Sequence, residues 1–398
     1  MNQVSNRINA LTESATIAMA SKARELKEKG VDVISLSLGE PDFKTPMHVQ
    51  EAAKKAIDSQ EYFTYPPLNG FPELKKAIIE KLTRDNKIPC APDNILVSNG
   101  AKHSISNVFL ALLNPGDEVI IYSPYWVSYI EMVKLAEGTP VIIEGSLDDN
   151  FKATADQLKD AITDKTKAVI FSSPCNPTGA VFSDEEIKAM ADVLKDRKGI
   201  YVIADEIYEY INFTDNKLSI GSIPEMVENT ITVNGVSKGY AMTGWRVGYI
   251  CAPAWVVKAC SKLQSQTTSG VNGIAQRAAL AAIAGDQSPT KEMAEAYERR
   301  RKIVYDLLKD IPGLKTSFPD GAFYFFPDVS AYFGKSFEGK TINDAGELAL
   351  YILSEAHVST VTGDAFGAPN NLRLSYAASE KDLVEALKRI KDALTKLV

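Results

Sequence analysis

From about residue 46 onward, short runs of aliphatic and β-branched residues alternate with stretches whose apolar residues recur at helical spacing. Seven of these runs predict β-strands, at residues 95–98, 119–122, 141–143, 168–172, 200–204, 230–234 and 247–251. Because the runs are apolar on both faces and helices separate most of them, the pattern predicts an α/β fold with a mostly parallel, seven-stranded sheet covered by helices. Ligands of such sheets bind just beyond the carboxyl ends of the strands.

The last quarter of the chain has a different pattern. After about residue 290 the sequence predicts a long charged helix, then phenylalanine-rich strands near 323–326 and two further helices. The final helix, over 380–397, carries four aliphatic side chains on one face: Leu383, Leu387, Ile390 and Leu394. We therefore expect a large domain over 46–289 and a smaller α+β domain formed by 1–45 together with 290–398, which suits a chain of 398 residues.

Composition narrows the class of protein. The formal net charge is −7, whereas a protein that mainly binds nucleic acid needs a basic face. No apolar run approaches the ~18 residues of a membrane span, and the N-terminal segment lacks the apolar core of a signal peptide. The four cysteines and three histidines show no metal-ligand spacing. These features favour a cytoplasmic enzyme that acts on small metabolites without a metal ion.

The segment from Val233 to Gly248 carries the strongest chemical signal. Lys238 follows a predicted buried strand, where desolvation would lower the pKa of a lysine and make its amine nucleophilic toward an aldehyde. Ser237 and Arg246 can both bind a phosphate, one through a hydroxyl and the other through a planar cation. A lone lysine in a loop is usually a solvated surface residue, but these neighbours favour a functional lysine.

With this segment, the chain resembles the fold-type I pyridoxal-phosphate (PLP) enzymes, and more closely the class I aminotransferases of the bacterial aspartate aminotransferase branch. The resemblance extends from Ser14-Ala-Thr16 to Arg373-Leu-Ser-Tyr376 and so covers nearly the whole chain. It implies that the large domain binds PLP and that the protein is a homodimer with shared active sites. It also implies that Lys238 holds the cofactor as an imine and carries the proton of the transamination step.

Two further strand ends supply groups that suit the ring of this cofactor. Asp205 follows the strand predicted at 200–204, and it resembles the carboxylate that binds the pyridine nitrogen and makes the ring an electron sink. Tyr208 resembles the hydrogen-bond donor to the phenolic oxygen of the ring. Asn176 follows the strand predicted at 168–172, and it resembles the asparagine that contacts both this oxygen and the substrate carboxylate. Alone, Asp-Glu-x-Tyr is a common surface string and Asn-Pro-x-Gly is simply a turn. The position of each string after a predicted buried strand, upstream of the lysine segment, favours the functional assignment.

The phosphate of the cofactor is expected at the start of the helix that follows the first predicted strand. Gly100 and Ala101 are small and expose backbone N–H groups there, and together with Lys102 they resemble the phosphate-binding turn of the family. Trp126 resembles the aromatic residue that stacks on the cofactor ring and contacts the substrate. Tyr65 resembles a tyrosine that reaches the cofactor phosphate of the neighbouring subunit, which implies the homodimer.

The resemblance also indicates how a substrate is bound. Arg373 can hold an α-carboxylate through two parallel hydrogen bonds, and Gly39 resembles the glycine of an N-terminal segment that closes over the ligand. The animal-type branch uses a partner-chain arginine for a second carboxylate, but residues 263–269 contain no arginine. Lys102, with help from Thr16, resembles the residues that have this role in the bacterial branch, which favours aspartate and 2-oxoglutarate as the substrates. Prephenate is less favoured, because residues 12–16 lack the basic residue followed by proline that many bifunctional relatives have there.

Three alternatives remain open from the sequence. An aminotransferase for aromatic amino acids, alanine or prephenate would differ mainly in its substrate range. A carbon–sulfur β-lyase of the same fold would share Lys238, Asp205 and Arg373, but it would release ammonia and pyruvate from cysteine conjugates. A non-enzymatic regulator that binds the cofactor would need an added DNA-binding domain, and we expect none, because the stretch before Gly39 is too short for one.

Overall fold

The structure, a computed structural model, describes residues 4–398. Within that range the α-helices are α1 Asn6–Asn9, α2 Ala15–Glu28, α3 Met47–Ser59, α4 Pro72–Lys81, α5 Ala101–Leu112, α6 Ser128–Leu135, α7 Ala155–Ala161, α8 Asp184–Leu194, α9 Ala254–Thr267, α10 Gly273–Ala284, α11 Ser288–Lys309, α12 Ala345–Glu355 and α13 Glu380–Leu394. The strands are β1 Ile34–Ser35, β2 Ile95–Ser98, β3 Glu118–Ser123, β4 Thr139–Glu144, β5 Thr166–Ser172, β6 Tyr201–Asp205, β7 Thr230–Gly235, β8 Gly248–Cys251, β9 Tyr324–Phe325, β10 Ser336–Phe337, β11 Lys340–Thr341, β12 Val358–Ser359, β13 Val361–Thr362 and β14 Leu372–Ser375. A short π-helix, Leu82–Asn86, continues α4.

Seven strands form one large sheet, in the order β2-β8-β7-β6-β5-β3-β4. The pairs among β3, β4, β5, β6 and β7 are parallel, whereas β8 runs antiparallel to both β2 and β7. All seven strands predicted from the sequence lie in this sheet, with small differences at their ends. The prediction of an α/β fold with a mostly parallel sheet is therefore confirmed.

Burial on both faces explains why the strand residues are apolar throughout. Successive side chains of a strand point to opposite faces. Ile203 packs with α5, α6 and α9 on one face of the sheet, whereas its neighbours Val202 and Ala204 pack with α7 and α8 on the other. A mostly parallel sheet needs such a cover on each side. Helix α8 begins with a capping box, in which the side chains of Ser183 and Glu186 each accept a hydrogen bond from the backbone N–H of the other.

The C-terminal part of the chain builds a second region around α11, α12 and α13. The strands β13, β14 and β9 form a small antiparallel sheet beside these helices. β1 pairs in parallel with β12, so the N-terminal segment joins this region. The four aliphatic side chains predicted on one face of the final helix, Leu383, Leu387, Ile390 and Leu394, are all buried. The two-domain boundaries themselves stay a prediction.

The large sheet determines where polar groups meet. Asp205 at the end of β6 lies level with Ser172 of β5 and Val233 of β7. Loops that follow these strands therefore leave the sheet at the same edge, and α5 begins at that edge because β2 runs parallel to them. Over residues 4–398, no helix combines the length and the apolar composition needed to cross a membrane.

Candidate active site

A cavity of about 490 Å³ opens beyond the carboxyl ends of β5, β6 and β7. Its wall contains twelve of the predicted site residues: Thr16, Gly39, Ala101, Lys102, Trp126, Asn176, Asp205, Tyr208, Ser237, Lys238, Arg246 and Arg373. Gly100 precedes Ala101 and lies against Arg246. Tyr65 is 94% exposed and lines no part of this cavity. Apart from Tyr65, which was predicted to act in a neighbouring subunit, the structure brings the predicted residues together.

Asp205 ends β6 and is only 4% exposed. The hydroxyl of Tyr129 donates to its Oδ2 at 2.6 Å, and the backbone N–H of Ile207 donates to its Oδ1 at 3.3 Å. Burial raises the pKa of Asp205 to about 6, and the two hydrogen bonds and Lys238 oppose that rise. In the part of the chain that the structure describes, no lysine or arginine forms an ion pair with this carboxyl. A buried carboxyl of this kind suits a ligand that carries a cationic ring nitrogen.

Lys238 follows β7 by three residues, and its Nζ donates to the backbone carbonyl of Gly39 at 2.6 Å. Burial lowers the pKa of Lys238 to about 8, and the cations of Arg373 and Arg246 act in the same direction. Glu40 is the main group that opposes this shift. The neutral fraction of this amine near pH 7 is therefore larger than that of an ordinary lysine side chain. The neutral amine is the form that attacks a carbonyl carbon.

The start of α5 offers donors for an anion. Gly100 has a φ of +87°, a conformation that favours glycine, and a Cβ at this position would collide with the guanidinium of Arg246. That guanidinium donates to the backbone carbonyl of Asn99 at 3.1 Å, which holds it beside the helix terminus. Ser237 lines the same cavity. The backbone N–H groups of Ala101 and Lys102, a hydroxyl and a planar cation together suit a phosphate.

The wall of the cavity also contains Lys102, Trp126 and Thr16. The Nζ of Lys102 lies 4.9 Å from the centre of the Trp126 ring. Partial burial lowers the pKa of Lys102, and the nearby Arg246 lowers it further. The hydroxyl of Thr16 is buried, and no group within residues 4–398 forms a hydrogen bond with it. An unpaired buried hydroxyl and a cation on one cavity suit a ligand with acceptor oxygens, such as a carboxylate.

Arg373 lies in β14 and is 2% exposed. Its Nη1 donates to Oδ1 of Asn176 at 2.9 Å, and its Nη2 donates to the carbonyl of Ser37 at 2.6 Å. Its Nε is buried, and among residues 4–398 no acceptor pairs with it. The aromatic ring of Tyr324 lies 4.6 Å from the guanidinium carbon. Two N–H groups thus fix the orientation of the cation, while other N–H groups, that of Nε among them, remain available to bind an anionic ligand.

Two tyrosines of the site were missed from the sequence, Tyr129 and Tyr324. The hydroxyl of Tyr129 donates a hydrogen bond to Asp205, and the hydroxyl of Tyr324 lies 2.7 Å from that of Tyr208. The position of Tyr129, three residues after Trp126, was an available signal, because this spacing brings side chains near one another in a helix. Tyr324 lies in a run of aromatic residues that is typical of a hydrophobic core, so nothing in the sequence indicated a role for it in the site.

Comparison with known proteins identifies the family. A model of the family described as "Aminotransferase class I and II" matches residues 31–390. The chain therefore belongs to the class I and II aminotransferases, a family that implies PLP as the cofactor and amino acids and 2-oxo acids as substrates.

Individual relatives match over nearly their whole length. The aspartate aminotransferase of Geobacillus stearothermophilus is 46% identical over 390 residues, which cover 98% of this chain and 98% of that protein. The aspartate/prephenate aminotransferase of Cereibacter sphaeroides is 44% identical over 390 residues and 97% of each chain. Among solved structures, the aspartate aminotransferase of Thermus thermophilus with maleate is 41% identical, has a TM-score of 0.93, and covers 99% of this chain and 100% of that one.

Proposed function

We propose that the chain transfers an amino group from aspartate to 2-oxoglutarate, with PLP held by Lys238. The observation that carries this proposal is the combination of groups on one cavity. A lysine of lowered pKa, a buried carboxyl without an ion-pair partner, and two separate cations, Arg373 and Lys102, all line it. Transamination of a dicarboxylic amino acid needs a group for each of these tasks: covalent attachment, stabilisation of the cofactor ring, and binding of two carboxylates.

The residues present fit PLP. Asp205 would bind the ring nitrogen, because its buried charge lacks a cationic partner, and Tyr208 and Asn176 would contact the phenolic oxygen. When bound, PLP supplies an electron sink for the electron pair of the broken Cα–H bond. The N terminus of α5 at Gly100 to Lys102, with Ser237 and Arg246, would hold the phosphate, and Trp126 would stack on the ring.

The side chains around the substrate have distinct tasks in this proposal. Arg373 binds the α-carboxylate, and its bonds to Asn176 and Ser37 fix its orientation before the substrate arrives, which limits the entropy lost on binding. Lys238 Nζ removes the proton from the substrate Cα, a task for which its lowered pKa is suited. The segment that carries Gly39 covers the ligand and excludes water.

The second carboxylate would be bound by Lys102 and Thr16. The buried, unpaired hydroxyl of Thr16 supports this assignment, as does the relative from Thermus thermophilus, whose structure contains maleate, a compound with two carboxylates. A lysine is a less directional partner for a carboxylate than an arginine. We therefore expect aspartate to be preferred over other amino acids rather than to be the sole donor.

A panel of amino donors with 2-oxoglutarate tests the substrate assignment. Aspartate, alanine, phenylalanine and, in the reverse direction, prephenate should be compared by kcat/KM with the purified holoenzyme. We expect the highest value for aspartate. A higher value for an aromatic amino acid or for prephenate would replace aspartate as the substrate. Release of ammonia and pyruvate from a cysteine conjugate, in an assay to which no 2-oxo acid acceptor is added, would instead support the carbon–sulfur β-lyase.

We also propose that the protein is a homodimer in which Tyr65 contacts the cofactor phosphate of the partner. Its nearly full exposure in one chain is compatible with this role, because it leaves the side chain free to contact a second subunit. The division into a domain over 46–289 and one over 1–45 with 290–398 is likewise a proposal, supported by the pairing of β1 with β12. Sedimentation of the purified protein would test the dimer.

A further inference from the structure

Tyr324 touches three of the proposed site residues. It is 0% exposed, and its hydroxyl lies 2.7 Å from the hydroxyl of Tyr208. The guanidinium carbon of Arg373 lies 4.6 Å from the centre of its ring. A Cβ at Gly39 would collide with its hydroxyl, so the backbone of the substrate-covering segment packs directly on it. This tyrosine therefore connects the cofactor side of the cavity with the side that binds the α-carboxylate.

The number of protons at this pair determines the direction of the hydrogen bond. Either hydroxyl can donate in the structure. Burial raises the pKa of both Tyr208 and Tyr324, so both hydroxyls keep their protons near neutral pH. If Tyr208 gives its one proton to the phenolic oxygen of PLP, its own oxygen can only accept. The proton between the two tyrosines must then come from Tyr324.

We propose that Tyr324 is a positioning residue that acts through Tyr208, by donating a hydrogen bond that strengthens the bond from Tyr208 to the phenolic oxygen of PLP. The inference rests on the proposed function. Hydrogen bonds in series polarise one another, so a donor behind Tyr208 makes Tyr208 a better donor. The cation of Arg373 over the ring of Tyr324 draws electron density from that ring and strengthens its donation further. The result is a more stable ionised form of the phenolic oxygen.

The test is a pH titration of the visible absorption of the holoenzyme without substrate, in which the ionised phenolic oxygen contributes to the observed pKa. Tyr208→Phe removes the direct donor and should raise that pKa most. Tyr324→Phe removes only the second hydroxyl and should raise it by about 0.2–0.6 pH unit, since one bond in a series strengthens the next by a fraction of its energy. Activity is not needed for this measurement.

Tyr297→Phe is the matched control. Tyr297 is also 0% exposed and belongs to the same aromatic cluster, but its buried hydroxyl has no hydrogen-bond partner among residues 4–398. Loss of that hydroxyl should leave the titration unchanged. A second variant of Tyr324, with a fluorinated tyrosine in place of tyrosine, keeps the shape and makes the hydroxyl a stronger donor. It should lower the observed pKa, and a residue that only packs would not give shifts of opposite sign.

The outcomes separate this inference from the proposed function. If Tyr208→Phe shifts the titration while neither Tyr324 variant does, the inference is overturned and the cofactor assignment stands. A Tyr324→Phe shift no larger than that of Tyr297→Phe overturns it as well. If Tyr208→Phe leaves the titration unchanged, the assignment of Tyr208 to the phenolic oxygen fails, and the proposed function loses that support. Opposite shifts in the two Tyr324 variants support the inference.

Discussion

Replacement of Lys102 by alanine tests whether the cavity recognises a second carboxylate. The side chain lies over the ring of Trp126 but is exposed in this chain, so its cation is only partly desolvated. An exposed ion pair contributes up to about 1 kcal/mol, whereas a desolvated charged contact contributes several. For Lys102, between these limits, we expect a loss of about 1–2 kcal/mol with aspartate, which corresponds to roughly 5- to 30-fold in kcat/KM.

The decisive quantity is the difference between two substrates. Alanine has no second carboxylate, so Lys102→Ala should change kcat/KM for alanine little, because a cation contributes only when an anion faces it. Thr16→Val removes a buried hydroxyl that is unpaired within the described residues, and it should also affect aspartate alone, by about 1 kcal/mol. Steady-state kinetics with both substrates at saturating 2-oxoglutarate measure these ratios.

Two controls make this measurement interpretable. Lys102 also lies at the start of α5, so the cofactor content of each variant must be measured by absorbance before the kinetics. Lys102→Arg keeps the charge and should retain more of the preference for aspartate than the alanine variant. Equal losses for aspartate and alanine in Lys102→Ala, with cofactor still bound, would refute the role of Lys102 in binding a second carboxylate.

Three further predictions concern the ring, the lysine and the covering segment. Asp205→Asn should keep the fold and the bond from Tyr129 but lower kcat by orders of magnitude, because a neutral ring is a poor electron sink; near-wild-type turnover would contradict this. In urea unfolding of the apoprotein, the free energy of unfolding of the wild type should rise relative to that of Lys238→Met between about pH 8 and 10.5, because the unfolded chain binds more protons in that range. The rise is at most about 3 kcal/mol, and its absence would contradict the lowered pKa of Lys238. Asp42→Asn weakens the ion pair in which the two Nη groups of Arg300 donate to the two carboxylate oxygens of Asp42 at 2.7 and 2.9 Å. Because this pair anchors the segment that carries Gly39, KM should rise more than kcat falls, and an unchanged KM would refute this anchoring role.

The sequence was sufficient to predict the large sheet and most of the cavity wall. The strands were predictable because burial on both faces makes them uniformly apolar, and turns after such strands must carry the polar groups. Asp205 ends one of these strands, and Lys238 and Asn176 each follow another, so the topology alone brings them together. The short strand β1 was not predicted, because two residues that pair with distant β12 leave no pattern along the chain.

Contacts between distant side chains account for what was missed. The hydrogen bond from Tyr129 to Asp205 joins residues 76 positions apart, and the contact of Tyr208 with Tyr324 joins residues 116 positions apart. Both tyrosines have the size and apolar character of core residues, and only the partner of the hydroxyl distinguishes a site residue from a packing residue. Tyr297 has the same character but lacks such a partner within residues 4–398.

The most direct test of the central claim is to identify the lysine that holds the cofactor. The holoenzyme should be reduced with borohydride, which fixes PLP to the amine that carries it, then digested and analysed by mass spectrometry. We expect the reduced adduct on Lys238 and not on Lys102, the other lysine of the cavity wall. An adduct on any other lysine, or no adduct in protein that absorbs in the visible, would contradict the assignment of the site.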